Sequence, residues 1–146
     1  MREMRFKAIY PSPQTTIVHK FHKKYPNLLK DMKISHPHHA WQVDITYLRT
    51  NHGFMYLNAL IGVYSRVVVG WTLSNTLDSQ SCLRTFEKAF FQYGRPHVIH
   101  SDQGSQFTSE EWLKALTLND INVSMSGAGR SNDNAYIERL WRTLKY

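Results

Sequence analysis

The sequence predicts an α/β fold: a mixed five-stranded sheet in the order βββ-α-β-α-β-α, with helices on both faces. Two observations lead there. Residues 41–73 hold apolar residues at a period of two, broken by short polar turns. Beyond residue 78 the pattern changes to helical stripes that alternate with short apolar runs.

Residues 1–40 hold several prolines, five histidines and little periodicity, so they are expected to form a basic N-terminal arm with one short helix near His19–Lys24. The globular core is assigned to residues 41–146. Trp41, Val43, Ile45 and Tyr47 alternate with Gln42, Asp44 and Thr46, as in a half-buried first strand with Asp44 on the face opposite the apolar set. Residues 49–53 read as a hairpin loop, Phe54–Tyr64 as the second strand, Ser65-Arg66 as a tight turn and Val67–Leu73 as the third strand.

Asp78 or Ser79 can N-cap a helix to Tyr93, with Leu83, Phe86, Phe90 and Tyr93 on one stripe and Gly94 as its stop. His97–Ser101 is a short fourth strand that ends at Asp102. Thr108 and Glu111 form a capping box for a helix to about Leu118. Ile121–Met125 is the fifth strand, Ser126–Asn132 a Gly-rich loop, and Asp133 the cap of a last helix. On that helix Glu138, Arg142 and Lys145 share one face, and Ile137, Leu140 and Leu144 the opposite one. The first and fourth strands are expected to be neighbours, so that Asp44 and Asp102 converge.

Charge is unevenly spread. Residues 1–40 carry eight Lys/Arg and two acids; residues 41–146 carry ten and nine. A basic arm beside a near-neutral globule is the footprint of a polyanionic partner, although a solvated leader has the same composition. A single cysteine, Cys82, gives neither a disulfide framework nor a Cys-based zinc site. His19, His22, His36, His38 and His39 lack the cysteine pair of a zinc finger. The start has no apolar run of a signal peptide, and the stretch Leu57–Val69 is interrupted by Asn58, Gly62, Ser65 and Arg66, so it is not a membrane span. A cytoplasmic protein is expected.

Asp44, Asp102 and Glu138 lie on three different elements, with 35 residues between the last two. Three carboxylates suit a hard, oxygen-seeking cation such as Mg²⁺. Taken alone, Glu138 and Arg142 also fit an ordinary i,i+4 pair on a solvated helix.

The chain resembles the catalytic core of bacterial insertion-sequence transposases of the second-reading-frame type, in the DDE integrase superfamily, which are related to retroviral integrases. The matching stretches are Trp41-Gln42-Val43-Asp44-Ile45-Thr46-Tyr47, Tyr64 to Trp71, His100-Ser101-Asp102-Gln103-Gly104-Ser105-Gln106-Phe107, and Asp133-Asn134-Ala135-Tyr136-Ile137-Glu138-Arg139-Leu140-Trp141. The 35-residue spacing is also that family's. The resemblance implies an RNase H-like fold and makes Asp44, Asp102 and Glu138 the catalytic ligands of two Mg²⁺ ions, with Mn²⁺ as a substitute. It implies transposon-end and target DNA as partners, a homo-oligomer on DNA, a bacterial nucleoid-associated location, and no organic cofactor. The chain departs from the family at Gly62, where an acidic residue is usual, and stops eight residues after Glu138, as a truncated core would.

The chemistry this implies is cleavage at transposon ends, followed by transfer of the 3′-hydroxyl into target DNA. Two cations about 3.5–4 Å apart would clamp the attacking and leaving oxygens. Gln103, Gln106, Asn134, Arg139, Arg142 and Lys145 are the candidate DNA contacts; Gln106 could equally tie down its own loop, and the loop over Ser126–Ser131 could cover the site. Trp141, on the helix of Glu138, is a candidate for stacking, whereas Trp41, Trp71 and Trp112 read as core or interface residues. Two other readings stay open: a non-catalytic DNA-binding remnant, and an RNase H-like nuclease, against which the 35-residue spacing argues.

Overall fold

The computed structural model describes residues 25–127 and 135–146. Its elements follow the expected order: β1 (Ala40–Thr50), β2 (Gly53–Gly62), β3 (Val68–Ser74), α1 (Ser79–Tyr93), β4 (Val98–Ser101), α2 (Glu110–Leu118), β5 (Asn122–Met125) and α3 (Ala135–Lys145). The five strands form one sheet in the spatial order β3-β2-β1-β4-β5. β1, β2 and β3 pair antiparallel, and β4 joins β1 in parallel, as does β5 to β4. β1 is therefore the seam between an antiparallel half and a parallel half. The helix expected near His19–Lys24, the Asp133 cap and most of the 126–131 loop lie outside the described residues.

The β1–β2 hairpin closes through Thr50, which pairs with Gly53 and donates its hydroxyl to the Gly53 carbonyl at 2.9 Å. Gly53 has a φ of 128°, a conformation that a side chain would strain. The turn after β2 is closed by the Gly62 N–H to the Val67 carbonyl and by the Arg66 N–H to the Gly62 carbonyl. A Cβ at Gly62 would lie 2.7 Å from Ser65 Oγ, so a larger residue there requires that side chain to turn away.

Both faces of the sheet are covered, because side chains of alternating parity serve different helices. Trp41, Val43 and Leu60 point to the main core with Cys82, Phe86 and Ala89 of α1 and Trp112 and Leu116 of α2. Leu57, Ala59 and Ile61 of β2 meet Ile137 and Trp141 of α3 on the other face. Gln42 and Thr46 of β1 are paired with Ile61 and Leu57 and share that second face. The expectation of a half-buried β1 is thus corrected: Gln42 is 1% exposed and Thr46 8%. Polar residues under a helix carry the same alternation as polar residues in water, which is why the pattern misled.

α1 is capped by Asp78, whose Oδ1 accepts the Ser81 N–H at 2.8 Å, and it stops at Gly94, whose N–H donates to the Phe90 carbonyl. Its close approach to β3 depends on Gly70, where a Cβ would meet the Thr85 carbonyl at 2.9 Å and Ala89 Cβ at 3.0 Å. Beneath it, Thr72 and Thr85 share a hydroxyl–hydroxyl bond of 2.6 Å, and Asn58 Nδ2 donates to Ser81 Oγ at 2.8 Å.

The α2 cap is also a correction. Ser109, not Thr108, is the N-cap, and its hydroxyl accepts the Trp112 N–H. Thr108 instead donates to the Gly104 carbonyl, and Glu111 accepts from Gln80 Nε2 of α1 at 2.7 Å. The capping-box residue is thereby used to link two helices.

On α3 the buried stripe is Ile137 with Trp141, supported by Leu140, while Leu144 is 54% exposed. The helix is also held at its ends, by Arg66 over the Tyr136 ring (3.2 Å) and by Lys145 over the Tyr47 ring (4.6 Å). Of the residues expected in the core or at an interface, Trp41 and Trp112 are fully buried, whereas Trp71 is 58% exposed on β3 and so is not a core residue. Residues before β1 lie against the sheet: Leu28, Leu29, Met32 and Ile34 meet Ala40, Val63 and Val98, and the Leu28 N–H donates to Ser124 Oγ at 2.8 Å. No described helix is long and apolar enough to cross a membrane.

Candidate active site

Asp44 and Asp102 are brought near each other by the β1–β4 pairing. Ala40, Trp41 and Gln42 pair with Val98, Ile99 and His100 in turn, so the two strands run side by side toward Asp44 and Asp102. Neighbouring strands lie about 4.8 Å apart. Asp44 sits in mid-strand under α3, while Asp102 is exposed just past the end of β4. Glu138 is exposed on the first turn of α3.

Burial raises the Asp44 carboxyl to about 6, against hydrogen bonds from Trp141 and from the Ile45 backbone that favour its charged form; Asp102 and Glu138 add like-charge repulsion. Asp44 therefore feels both of the other acids. Among the described residues, however, no three His, Cys, Asp or Glu side chains stand close enough together to grip a single ion. Electrostatic reach is longer than ligation distance, so both observations hold. Asp102 and Glu138 are the exposed members of the three.

The loop after β4 is built around Asp102. Its Oδ1 accepts the Gly104 N–H at 2.8 Å. A Cβ at Gly104 would stand 2.9 Å from that same oxygen and 3.0 Å from Gln106 Oε1. Gln103 Nε2 donates to the Ser126 carbonyl at 3.0 Å, and the Ser126 N–H donates to the Ser101 carbonyl. Gln103 thus ties the loop after β4 to the end of β5. Nearby, His100 is fully buried, with Nδ1 bonded to Ser124 Oγ at 2.8 Å, a core role.

These features match a known architecture. A family model described as the integrase core domain matches residues 34–131. The chain belongs to the integrase core domain family. Its integrase core is 36% identical over 122 residues to the transposase InsF for insertion sequence IS3A of Escherichia coli, covering 82% of this chain and 42% of that protein. It is likewise 36% identical over 126 residues to the transposase for insertion sequence element IS904 of Lactococcus lactis, covering 82% of this chain and 49% of the relative. The chain thus spans less than half the length of these relatives.

Among solved structures, the integrase core is similar to a chain of the simian T-cell lymphotropic virus intasome in complex with a PP2A regulatory subunit, with a TM-score of 0.71, 26% identity, and coverage of 75% of this chain and 39% of that one. The HTLV-2 integrase catalytic core domain in complex with magnesium shares the fold, with a TM-score of 0.65, 24% identity, and coverage of 75% and 68%. The RNase H-like expectation for the integrase core is borne out by these neighbours and by the sheet order.

The remaining candidates sort unevenly. Arg139 and Arg142 are exposed on α3, Lys145 has its ammonium over Tyr47, and Asn134 lies outside the described residues. Gln106 is half-buried beside Gly104. Trp141 is corrected from a stacking candidate to a buried residue, 8% exposed, whose indole N–H donates to Asp44 Oδ2 at 2.8 Å. That contact was not foreseen, although Ile137 and Trp141 stand at i,i+4 and so could share the sheet-facing stripe. Burial, reinforced by Asp78, pushes the Cys82 thiol up to about 12, which removes it as a nucleophile. Of the N-terminal histidines, His36 and His39 stack on each other at 4.5 Å with His97 beside them; burial and these two neighbours lower the His39 pKa.

Proposed function

We propose that the chain is the catalytic core of an insertion-sequence transposase, which cuts phosphodiester bonds at transposon ends and transfers the resulting 3′-hydroxyl into target DNA. The observation that supports this reading is the parallel pairing of β1 with β4, which runs toward Asp44 on one strand and Asp102 just past the end of the other, in an integrase core. In the reading, Asp44, Asp102 and Glu138 hold divalent cations, Mg²⁺ first and Mn²⁺ as a substitute, with two ions per site.

The donor set suits such ions. Three carboxylates supply hard oxygen ligands and leave positions free for phosphate oxygens and water. A buried Asp44 pushed to about 6 beside two like charges gains most from a cation, because the cation offsets each of those costs. When bound, the ions supply charge neutralisation of the phosphodiester and activation of the attacking hydroxyl.

The protein's own residues do the rest. Asp44, set on the sheet, is the fixed ligand, and Asp102 and Glu138 are the adjustable ones. Gln103 holds two loops in one position beside the acids. Arg139, Arg142 and Lys145 carry positive charge along α3 and would meet DNA phosphates, which orients the duplex without reading its sequence. Asn134 and Gln106 are assigned to DNA contact on the family resemblance. The basic residues within 1–40 add sequence-independent affinity, and the protein works as a homo-oligomer on DNA in the bacterial cytoplasm.

Strand cleavage and joining on a labelled transposon-end oligonucleotide tests this, in Mg²⁺ and in Mn²⁺, with Asp102→Asn as the control. Metal-dependent products that vanish in the variant are expected. Products that persist in the variant, or that form without a divalent ion, would overturn the assignment. DNA binding without products in both proteins would favour a non-catalytic remnant.

A further inference from the structure

α3 has two aromatic residues, and they are used differently. Tyr136 is exposed beneath Arg66, whereas Trp141 is buried against Leu57, Ala59 and Ile61 and reaches Asp44. An indole N–H can only donate. Asp44 Oδ2 is therefore the acceptor. Packing alone does not require this bond. Trp112 is fully buried in the opposite core, and its Nε1 has no hydrogen-bond partner among the described residues. The same side chain thus fills space at one site and points its donor at a carboxylate at the other.

We propose that Trp141 is a positioning residue for the cation site: it holds Asp44 in one orientation, presents Oδ1 to the cation, and ties to that carboxylate the helix that carries Glu138. This rests on the reading of Asp44 as a cation ligand. The geometry is economical. Glu138 lies one helical turn before Trp141, and Ile137 and Trp141 are the buried residues of α3, so the bond that orients one acid also anchors the element bearing another. Groups that donate to a ligating carboxylate fix its rotamer, and their loss typically weakens metal binding 10–100-fold.

The test is calorimetric titration of the full chain with Mn²⁺ and with Mg²⁺, without DNA. It compares wild type, Asp44→Asn, Trp141→Phe and Trp112→Phe. Trp141→Phe keeps an aromatic ring and removes the donor; affinity is expected to fall at least tenfold, and a separate cleavage assay on transposon-end DNA is expected to show a lower kcat with KM little changed. Trp112→Phe makes the same chemical change away from the acids and is expected to stay within twofold. Should Trp141→Phe fail to fold, the indole N–H resonances of the wild type are followed instead. The resonance displaced by Asp44→Asn is expected to move when Mg²⁺ is added, and its failure to move would overturn the proposal. If Asp44→Asn leaves cation binding unchanged, the ligand reading and this inference both fall. If Asp44→Asn abolishes binding while Trp141→Phe stays within twofold of wild type, only the inference falls.

Discussion

The side-chain amide of Gln103 donates to the main-chain carbonyl of Ser126 at 3.0 Å, joining the loop that leaves β4 to the residue that follows β5. Two parallel strands are thereby fastened just beyond their C-terminal ends, beside Asp102. Removing one neutral hydrogen bond of this kind costs about 1 kcal/mol. Gln103→Ala is expected to lower the unfolding free energy obtained from chemical denaturation by about 1 kcal/mol and to slow strand cleavage. Denaturation curves and cleavage rates measured side by side would check it; an unchanged rate would remove Gln103 from the site.

Gly104 gives a sharper separation of stability from activity. Its N–H holds Asp102 Oδ1, and a methyl group there would lie 2.9 Å from the same oxygen. The residue is in an exposed loop, so Gly104→Ala is expected to change stability by less than about 1 kcal/mol. Metal-dependent cleavage is expected to fall at least tenfold, because the carboxylate must turn away. A variant with wild-type activity would show that Asp102 does not act from this position.

Asp44 makes a pH prediction whose sign is opposite to that of a salt-bridged acid. Its folded pKa, about 6, lies above its ordinary value of 3.8. Between those values the folded state holds more protons than the unfolded state, so stability from this group is fully present below 3.8 and is lost as pH rises through 6. The upper bound is about 3 kcal/mol. Without divalent ions, Asp44→Asn is therefore expected to gain in Tm relative to wild type as pH is raised from 4 to 7. Added Mg²⁺ should narrow that gap, by stabilising wild type alone. Thermal melts at several pH values, with and without Mg²⁺, decide the matter.

Gly70 tests the fold away from the site. A Cβ there would press on the Thr85 carbonyl at 2.9 Å and on Ala89 Cβ at 3.0 Å, both parts of α1 rather than flexible side-chain ends. Overpacking of this type costs about 1–3 kcal/mol. Gly70→Ala is expected to lower Tm while leaving the cation affinity near that of wild type, since α1 packs on the face opposite Asp44. Equal stability of the two proteins would mean that α1 can shift freely on β3.

Much of this architecture was legible because it depends on local pattern. The order of elements, the Asp78 and Gly94 ends of α1, and the adjacency of β1 and β4 all follow from periodicity, capping chemistry and short connections. What was misread depends on tertiary partners. Gln42 and Thr46 are polar yet buried, because they share the sheet face on which Leu57 and Ile61 pack against α3. Thr108 and Glu111 have the spacing of a capping box, but Glu111 is drawn to Gln80 on another helix and Ser109 takes the cap. Leu144 carries the correct helical phase, but α3 settles on Trp141 instead. In each case a side chain had two acceptable uses, and a residue distant in sequence selected between them. The acids themselves were legible by spacing and motif, whereas the indole that orients one of them was not.

The seam position of β1 has a consequence for how such a chain can vary. Side chains on a strand alternate, so each position carries an odd or even parity. Asp44 owes its place under α3 to being even, in company with Gln42 and Thr46. β1 is bonded on one side to β2 and on the other to β4, so its parity is locked twice. Losing or gaining one residue within it would exchange Asp44 for Val43 or Ile45 at the site and drive the carboxylate into the apolar core. Length change in this strand is therefore all but forbidden. The exposed tip at Asn51-His52, outside both ladders, is where the same chain can absorb it.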